Sequence, residues 1–313
     1  MEYHNEHFHY TTEIKRIYHV SDIHINLQAK HDEYKQVFKN LYAFLKDEKK
    51  KYNITDNKNI ECIVVITGDI LHSKTELLPE CIELTRSFLT NLSKIMPTVM
   101  IAGNHDLNIN NSERLDGLTP IKNGVDKDLP LYYLKKSGIY YFSNIVWSLA
   151  SVQDYLIIDP SLIKTPNKTK ICLFHGRVNG AILYNKTKLT GETNKKTNKT
   201  ITPESFKGYD YVLMGDIHKQ QYMNKNKTMA YSGSLIQQNH GETRKGHGVL
   251  VWDLENKTSK LVEIKNDFCF FTYRINNDKF TEEDVDKITA PHNMRLRLLL
   301  NQTNGCKLQE IID

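Results

Sequence analysis

The stretch IECIVVITGDILH, residues 60–72, decides how the chain folds. Its apolar run is continuous and not alternating, the pattern of a strand covered on both faces within a parallel sheet. It stops at Gly68 and Asp69, with His72 close behind. Four other runs have the same construction. RIYHVSDIHIN (16–26) stops at Asp22 and His24, and PTVMIAGNHDL (97–107) runs into Gly103, Asn104, His105 and Asp106. KTKICLFHGR (168–177) ends at His175 and Gly176, and YDYVLMGDIH (209–218) at Asp216 and His218. Strand alternation places Asp216 and His218 on one side of the chain.

Helical patterns separate the first three runs. In residues 30–51, Tyr34, Val37, Phe38, Leu41 and Leu45 recur at helical spacing. In residues 76–95, Leu78, Cys81, Ile82, Leu84, Phe88, Leu89 and Leu92 do the same, with Pro79 tolerated in the first turn. Strands alternating with helices predict an α/β fold. Polar residues at the carboxyl ends of its strands face the crevice where such sheets bind ligands. Singly, each strand end has a structural explanation: Asp22 as a cap, Asn104 in a turn, His175 bonded to backbone, Asp216 and His218 as an ion pair. Five in the same context point to a metal or phosphate site.

The composition bounds the rest. Hydrophobic residues make up 39% and charged residues 25%, ordinary for a globular chain, and no apolar run approaches the roughly 20 residues a membrane span needs. The polar amino terminus does not read as a secretory signal, and His4, His7 and His9 are expected in a solvated tail over residues 1–13. Cys62, Cys81, Cys172, Cys269 and Cys306 lack zinc-type spacing, and an intracellular, reducing compartment is expected. A formal charge of +5 permits nucleic-acid binding without requiring it. The wealth of Lys, Asn and Ile fits the coding bias of an AT-rich genome.

The ordered set D-x-H, G-D-x-x-H, G-N-H-D, H-G and G-D-x-H resembles the calcineurin-like metallophosphoesterases. Within them it is most similar to the double-strand-break-repair nucleases, of the bacterial SbcD type and the meiotic-recombination type. HVSDIHI, the extra histidine of GDILH (His72), and YSGSLIQQNHGE followed by GHGVLVWDLE carry that likeness, which spans residues 14–265. The resemblance implies a two-sheet β-sandwich flanked by helices, and a DNA nuclease with two divalent ions, Mn²⁺ foremost and Mg²⁺ as the alternative. By motif, Asp22, His24, Asp69 and His218 would hold one ion, and Asp69, Asn104, His175 and Asp216 the other, with Asp69 as bridge. His105 would serve the leaving oxygen, Asp106 would orient the His105 ring, and His72 would contact the scissile phosphate. A metallophosphatase on a small-molecule or protein substrate, or a weakly catalytic DNA-end-binding scaffold, are the alternatives.

The chain departs from the nuclease branch at Asp216, where histidine is usual, and at Asn26, often glycine. Direct ligation by Asp216 would leave the site one unit less positive; the alternative is that Asp216 bonds only His175 or water. Arg177 is a candidate phosphate contact or a solvated arginine. The polar, lysine-rich residues 184–202 are a candidate surface loop, from which Lys195 and Lys196 could reach a DNA backbone.

Past residue 266, CFFTYRI and MRLRLLLN read as strands, and TEEDVDKI as a helix capped by Thr281. This would be the beginning of a small α+β DNA-capping domain over residues 266–313. The closing GCKLQEIID reads as a helix just begun, so the natural protein is expected to continue. The resemblance implies a homodimer, for which the two amphipathic helices are candidates unless their apolar faces cover the sheet. It also implies an SbcC-type ATPase partner for the full-length protein, contacted by segments beyond this chain.

Overall fold

The computed structural model describes residues 7–8, 13–26, 28–52, 61–165, 167–274 and 293–299. Two mixed sheets face each other. The first runs, in spatial order, β13 (Thr258–Glu263), β12 (Gly248–Asp253), β2 (Arg16–Val20), β3 (Cys62–Thr67), β4 (Thr98–Ile101) and β5 (Leu131–Leu134). The second runs β1 (His7–Phe8), β6 (Gly138–Phe142), β7 (Ile145–Ala150), β8 (Thr169–His175), β9 (Tyr211–Gly215), β11 (Met229–Tyr231) and β10 (Gln221–Tyr222). Part of the expected amino-terminal tail therefore joins a sheet, as His7–Phe8 beside β6.

The opening stretch explains the layering. Ile63 and Val65 of β3 pack between the sheets with Trp147, Ile171, Leu173, Leu250 and Trp252. Cys62, Val64 and Ile66 project the other way, into the core that includes the two long helices. Both faces of β3 are buried, hence its unbroken apolar run. Helix α1 (His31–Lys51) lays Tyr34, Val37, Phe38, Leu41 and Leu45 into that core, and α2 (Pro79–Ile95) lays Phe88, Leu89 and Leu92. Phe38 and Phe88 stack with centroids 4.1 Å apart. Each such side chain contributes about 1.5–3 kcal/mol when fully buried. Most residues of the two apolar stripes are thus committed to this core, while Leu78 and Ile82 stay exposed.

Helix α2 begins three residues later than its periodicity suggests, at Pro79. The residue before a proline is pushed out of helical conformation, and Leu78 is extended, with φ −69° and ψ 149°. The polar 184–202 segment is held by hydrogen bonds where apolar periodicity is lacking. At its hub the buried Asn194 donates to the Tyr155 carbonyl at 2.8 Å and accepts from the Lys196 and Thr197 amides at 3.0 and 2.9 Å.

The expected carboxy-terminal strands form β14 (Phe268–Arg274) and β15 (Asn293–Leu299), a parallel pair. They join the body through Arg295 Nη1, 2.6 Å from Glu33 Oε2, and through Gln237, which bonds both the amide and the carbonyl of Phe270. The helix expected at 281–288 and the segment 305–313 lie outside the described residues. Cys62, Cys81, Cys172 and Cys269 are buried free thiols; Cys306 also lies outside the described residues.

His19 on β2 is fully buried, with Nε2 2.8 Å from Thr67 Oγ1. Burial pushes its pKa down to about 3. An unfolded histidine titrates near 6.5, so below that pH the unfolded chain takes up a proton that the folded chain refuses. Stability from this group is complete above pH ~6.5 and is lost as pH falls toward the folded value, at up to about 1.4 kcal/mol per pH unit. In urea unfolding of the metal-free protein between pH 7 and pH 4, His19→Gln is expected to flatten the decline relative to the parent chain. Equal slopes would contradict this.

Candidate metal centre

Strands β2, β3, β4, β8 and β9 all deliver polar residues at their carboxyl ends, and the two sheets bring those ends together. The amides of Asp22 and His24 bond to the carbonyls of Gly68 and Asp69 at 3.1 and 3.0 Å. From the second sheet, the Gly176 amide bonds to Gly215, and His175 Nδ1 donates to the Thr67 carbonyl at 2.7 Å. The turns are tight. Asp22, His24, Asp69 and Asp216 all have positive φ, between 50° and 94°. Such values are uncommon outside glycine and gather at functional sites, where surrounding structure has to enforce them. Gly68 carries no side chain where a Cβ would meet His175 Nδ1 at 2.6 Å and Gly103 N at 2.7 Å.

Asp69 sits at the centre. Its Oδ2 lies 3.6 Å from His24 Nε2, and its Oδ1 lies 3.3 Å from His175 Nε2. Around His175 Nε2 stand Asn104 Oδ1 at 3.0 Å and Asp216 Oδ1 at 3.8 Å. The His24 and His218 Nε2 atoms face each other at 3.0 Å, and Asp22 Oδ1 is 4.0 Å from His24 Nε2. Two sets of donor atoms result, Asp22–His24–His218 and Asp22–Asp69–His175, each within 4.8 Å. His24, His72 and His105 form a third set on the more open side.

These donors fit cations. His175 Nδ1 gives its proton to a carbonyl and His218 Nδ1 gives its proton to Glu242 Oε1 at 2.7 Å, so each neutral ring turns a lone pair inward from Nε2. Inward lone pairs confront carboxylate and amide oxygens, or one another, and only a shared cation or an added proton relieves that repulsion. The ion-pair partners of Asp22, Asp69 and Asp216 among the described residues are histidines, not lysine or arginine.

The titration behaviour reflects the crowding. Burial pushes the Asp22 carboxyl up to about 6, with Asp69 and Asp216 adding to the rise and His175 and His218 opposing it. Burial also raises Asp216. Burial alone would raise Asp69, yet His175, His24 and His105 hold it well below the carboxylate range. Burial opposes charge on His175, but Asp69, Asp22 and Asp216 override it and raise its pKa. Burial lowers His24 to about 3.

Two expectations about neighbours change. Asp106 does not orient the His105 ring. Its carboxylate accepts from the amides of Leu71 and Gly103, both at 2.8 Å, and of Ile70 at 3.3 Å, bracing the loops that carry Asp69 and Asn104. Burial, with Asp69 adding, pushes its pKa up to about 7. The His105 ring is instead oriented by the His72 carbonyl, to which Nδ1 donates at 2.6 Å, leaving Nε2 free. Nor does Asp216 bond to His175, since 3.8 Å is too long for a hydrogen bond.

The outlying candidates are placed differently. Arg177 is held by Glu192, Nε to Oε1 at 2.5 Å. Lys195 Nζ donates to the Ile109 carbonyl at 3.2 Å, and Lys196 is exposed. Sequence reading missed Glu242 as a partner of His218. It lies 24 residues away on a turn, and no motif spacing joins the two.

Carboxylates that accept from the far nitrogen of a ligating histidine fix its tautomer and typically govern metal affinity by about 10- to 100-fold. Burial would lower the His218 pKa, but its bond to Glu242 raises it. Glu242→Ala is therefore expected to weaken manganese binding at one site by about 10- to 100-fold in titration calorimetry. Unchanged affinity at both sites would remove Glu242 from the metal centre.

With this geometry in view, similarity to known proteins is informative. The chain is 46% identical to the uncharacterized protein R555 of Acanthamoeba polyphaga mimivirus over 310 residues, 96% of this chain and 22% of that protein. It is 26% identical to the SbcD subunit of the SbcCD nuclease of Staphylococcus epidermidis over 247 residues, 67% of this chain and 61% of that protein. It thus spans less than two thirds of either relative. The sequence pattern of the calcineurin-like phosphoesterases matches residues 15–220, which hold every strand end that feeds the donor cluster, and the chain belongs to that family.

Proposed function

We propose that this chain is a two-metal DNA nuclease of the double-strand-break-repair type, acting with manganese. The observation that carries the reading is the division of the Asp69 carboxylate, one oxygen toward His24 and the other toward His175, which is the posture of a bridging ligand. Asp22, His24, Asp69 and His218 would hold one ion, and Asp69, Asn104, His175 and Asp216 the other. Carboxylate oxygens in both sets, joined in the second by the Asn104 amide oxygen, favour Mn²⁺ or Mg²⁺ over softer ions. A pair of divalent ions bound there would polarise a phosphodiester and activate water for attack.

The remaining residues act on the substrate. His105 presents Nε2, its Nδ1 being committed to His72, so it donates a proton to a leaving oxygen only as the imidazolium. Asp106 acts at one remove, bracing the loops on either side. His72, exposed beside His24 and His105, orients the scissile phosphate. The exposed histidine of GDILH and the likeness to a nuclease subunit favour DNA over a small phosphoester. A second protomer and an SbcC-type ATPase are the partners this reading implies.

Cleavage of linear duplex or single-stranded DNA is expected with Mn²⁺ and is expected to vanish with EDTA. His105→Ala should lower the rate by about 100-fold or more, the usual weight of a general acid, while titration calorimetry still finds both ions bound. Hydrolysis of a generic phosphodiester without any DNA cleavage would overturn the nuclease reading.

Asp216 gives a sharper test. Asp216→His makes the centre one unit more positive and should sustain or raise cleavage. Asp216→Ala should lose one manganese ion and most of the rate, since a two-ion clamp fails without its second member. Asp216→Asn, keeping an oxygen without the charge, should fall between. An Ala variant with parental affinity and rate would show that Asp216 does not ligate.

A further inference from the structure

The structure assigns Arg177 and Glu192 a joint task that rests on the nuclease reading: a pre-aimed clamp for a phosphate flanking the scissile one, with Arg177 as the contact and Glu192 as its positioning residue. Arg177 follows the ligand His175 by two residues, so its main chain is tied to the metal centre. That backbone is held on all sides. The Gly176 amide bonds to Gly215, the Gly176 carbonyl accepts from the Tyr231 hydroxyl at 2.8 Å, and the Val178 amide donates to the same hydroxyl at 2.9 Å. The Arg177 carbonyl accepts from the Glu192 amide at 2.7 Å, and the Glu192 carbonyl accepts from Ile201 at 2.7 Å. Both ends of the clamp are therefore anchored.

The side chains are disposed unequally. Glu192 is 19% exposed and Arg177 is 49% exposed. Glu192 takes the Nε edge of the guanidinium at 2.5 Å. Guanidinium has five N–H donors in a rigid fork, and a carboxylate on Nε leaves the terminal nitrogens able to grip a second anion. The pair also lies beside the metal cluster: Arg177 is two residues past His175, and the Gly176 amide between them bonds to Gly215, the residue before Asp216. A surface ion pair with no further duty would be worth little. This one holds a half-exposed guanidinium by its Nε edge, on a main chain two residues from His175. The ligand chemistry is a second phosphodiester on the same strand, which an oligonucleotide offers and an isolated phosphoester lacks.

Glu192 makes the inference separable from simple charge. If only net charge mattered, removing Glu192 would strengthen phosphate binding. If Glu192 aims Arg177, removing it weakens binding although a negative charge has gone.

The test uses the full chain, Mn²⁺ and a single-stranded oligonucleotide in which one phosphate at a time, on either side of the cleavage site, is replaced by a neutral methylphosphonate. In the parent chain, one flanking position is expected to raise KM by about 10-fold or more, the weight of a charge-assisted hydrogen bond. In Arg177→Ala that penalty should disappear, since the partner is already missing. Arg177→Lys, which keeps the charge but loses the fork, should retain only part of it. Glu192→Ala should raise KM for the unmodified strand and shrink the penalty, and Glu192→Gln, whose carbonyl still accepts from Nε, should restore most of it. Arg177→Ala should also lower the slope of log KM against log salt by about one phosphate's share. Normal cleavage with no position whose penalty vanishes in Arg177→Ala would overturn the clamp alone. Tighter binding by Glu192→Ala would overturn its positioning role. No cleavage of the unmodified strand would overturn the nuclease reading and the clamp with it.

Discussion

The two sheets meet at the Asp69 carboxylate. It belongs to the first sheet, its Oδ1 faces His175 from the second, and its Oδ2 faces His24 from its own. A carboxylate this deeply buried is costly unless charge or hydrogen bonds answer it. Here the answer comes from imidazoles on both sides and from the His105 amide, which donates to Oδ1 at 2.9 Å. The constraint reaches outward. Gly68 and Gly103 keep the backbone close enough for these contacts, and Asp106 ties the amides of Ile70, Leu71 and Gly103 into one frame. The inter-sheet core around Ile63, Trp147 and Trp252 supplies the rigidity that holds the frame.

The same frame explains why so many strained residues stand together. Asp22, His24, Asp69 and Asp216 adopt positive φ without the freedom of glycine. Left-handed backbone turns each side chain sharply at the end of its strand, so that donors from neighbouring strands converge. The energy for this comes from the two buried cores, one of which reaches the cluster itself through Ile23, Ile70 and Ile217. Stability and function are therefore divided along the strands, with apolar residues in their middles and donors at their carboxyl ends.

Asp216 is, with Asn26, one of two positions where the sequence departs from the nuclease branch it resembles, and its surroundings are correspondingly distinctive. Its amide donates to both Asp22 oxygens, at 3.0 and 3.2 Å, so its backbone is already committed to the cluster. Its side chain is 22% exposed, more open than the buried ligands. Burial raises its pKa most; of the charged neighbours His175 offsets its charge most, Asp69 and Glu192 add to the rise, and Arg177 contributes a smaller offset.

Much of this was legible in the residues themselves. Continuous apolar runs that end in Gly-Asp, Gly-Asn-His-Asp or His-Gly determine both a buried sheet and the side from which ligands project, because period and strand ends are local properties. The same reading singled out Asp22, His24, Asp69, Asn104, His175 and His218, which the fold brings together, and the starts of α1 and α2 to within a few residues. Tertiary structure alone decided the rest. Glu242 reaches His218 across a turn, Asp106 braces backbone and not the His105 ring, and Glu192 grips Arg177 from another loop. None of these has a spacing to betray it, since a hydrogen bond between distant segments depends on where folding leaves two atoms. Residues 184–202 make the same point: their order rests on Asn194 bonding to backbone around it, which composition alone reads as an unpatterned polar loop.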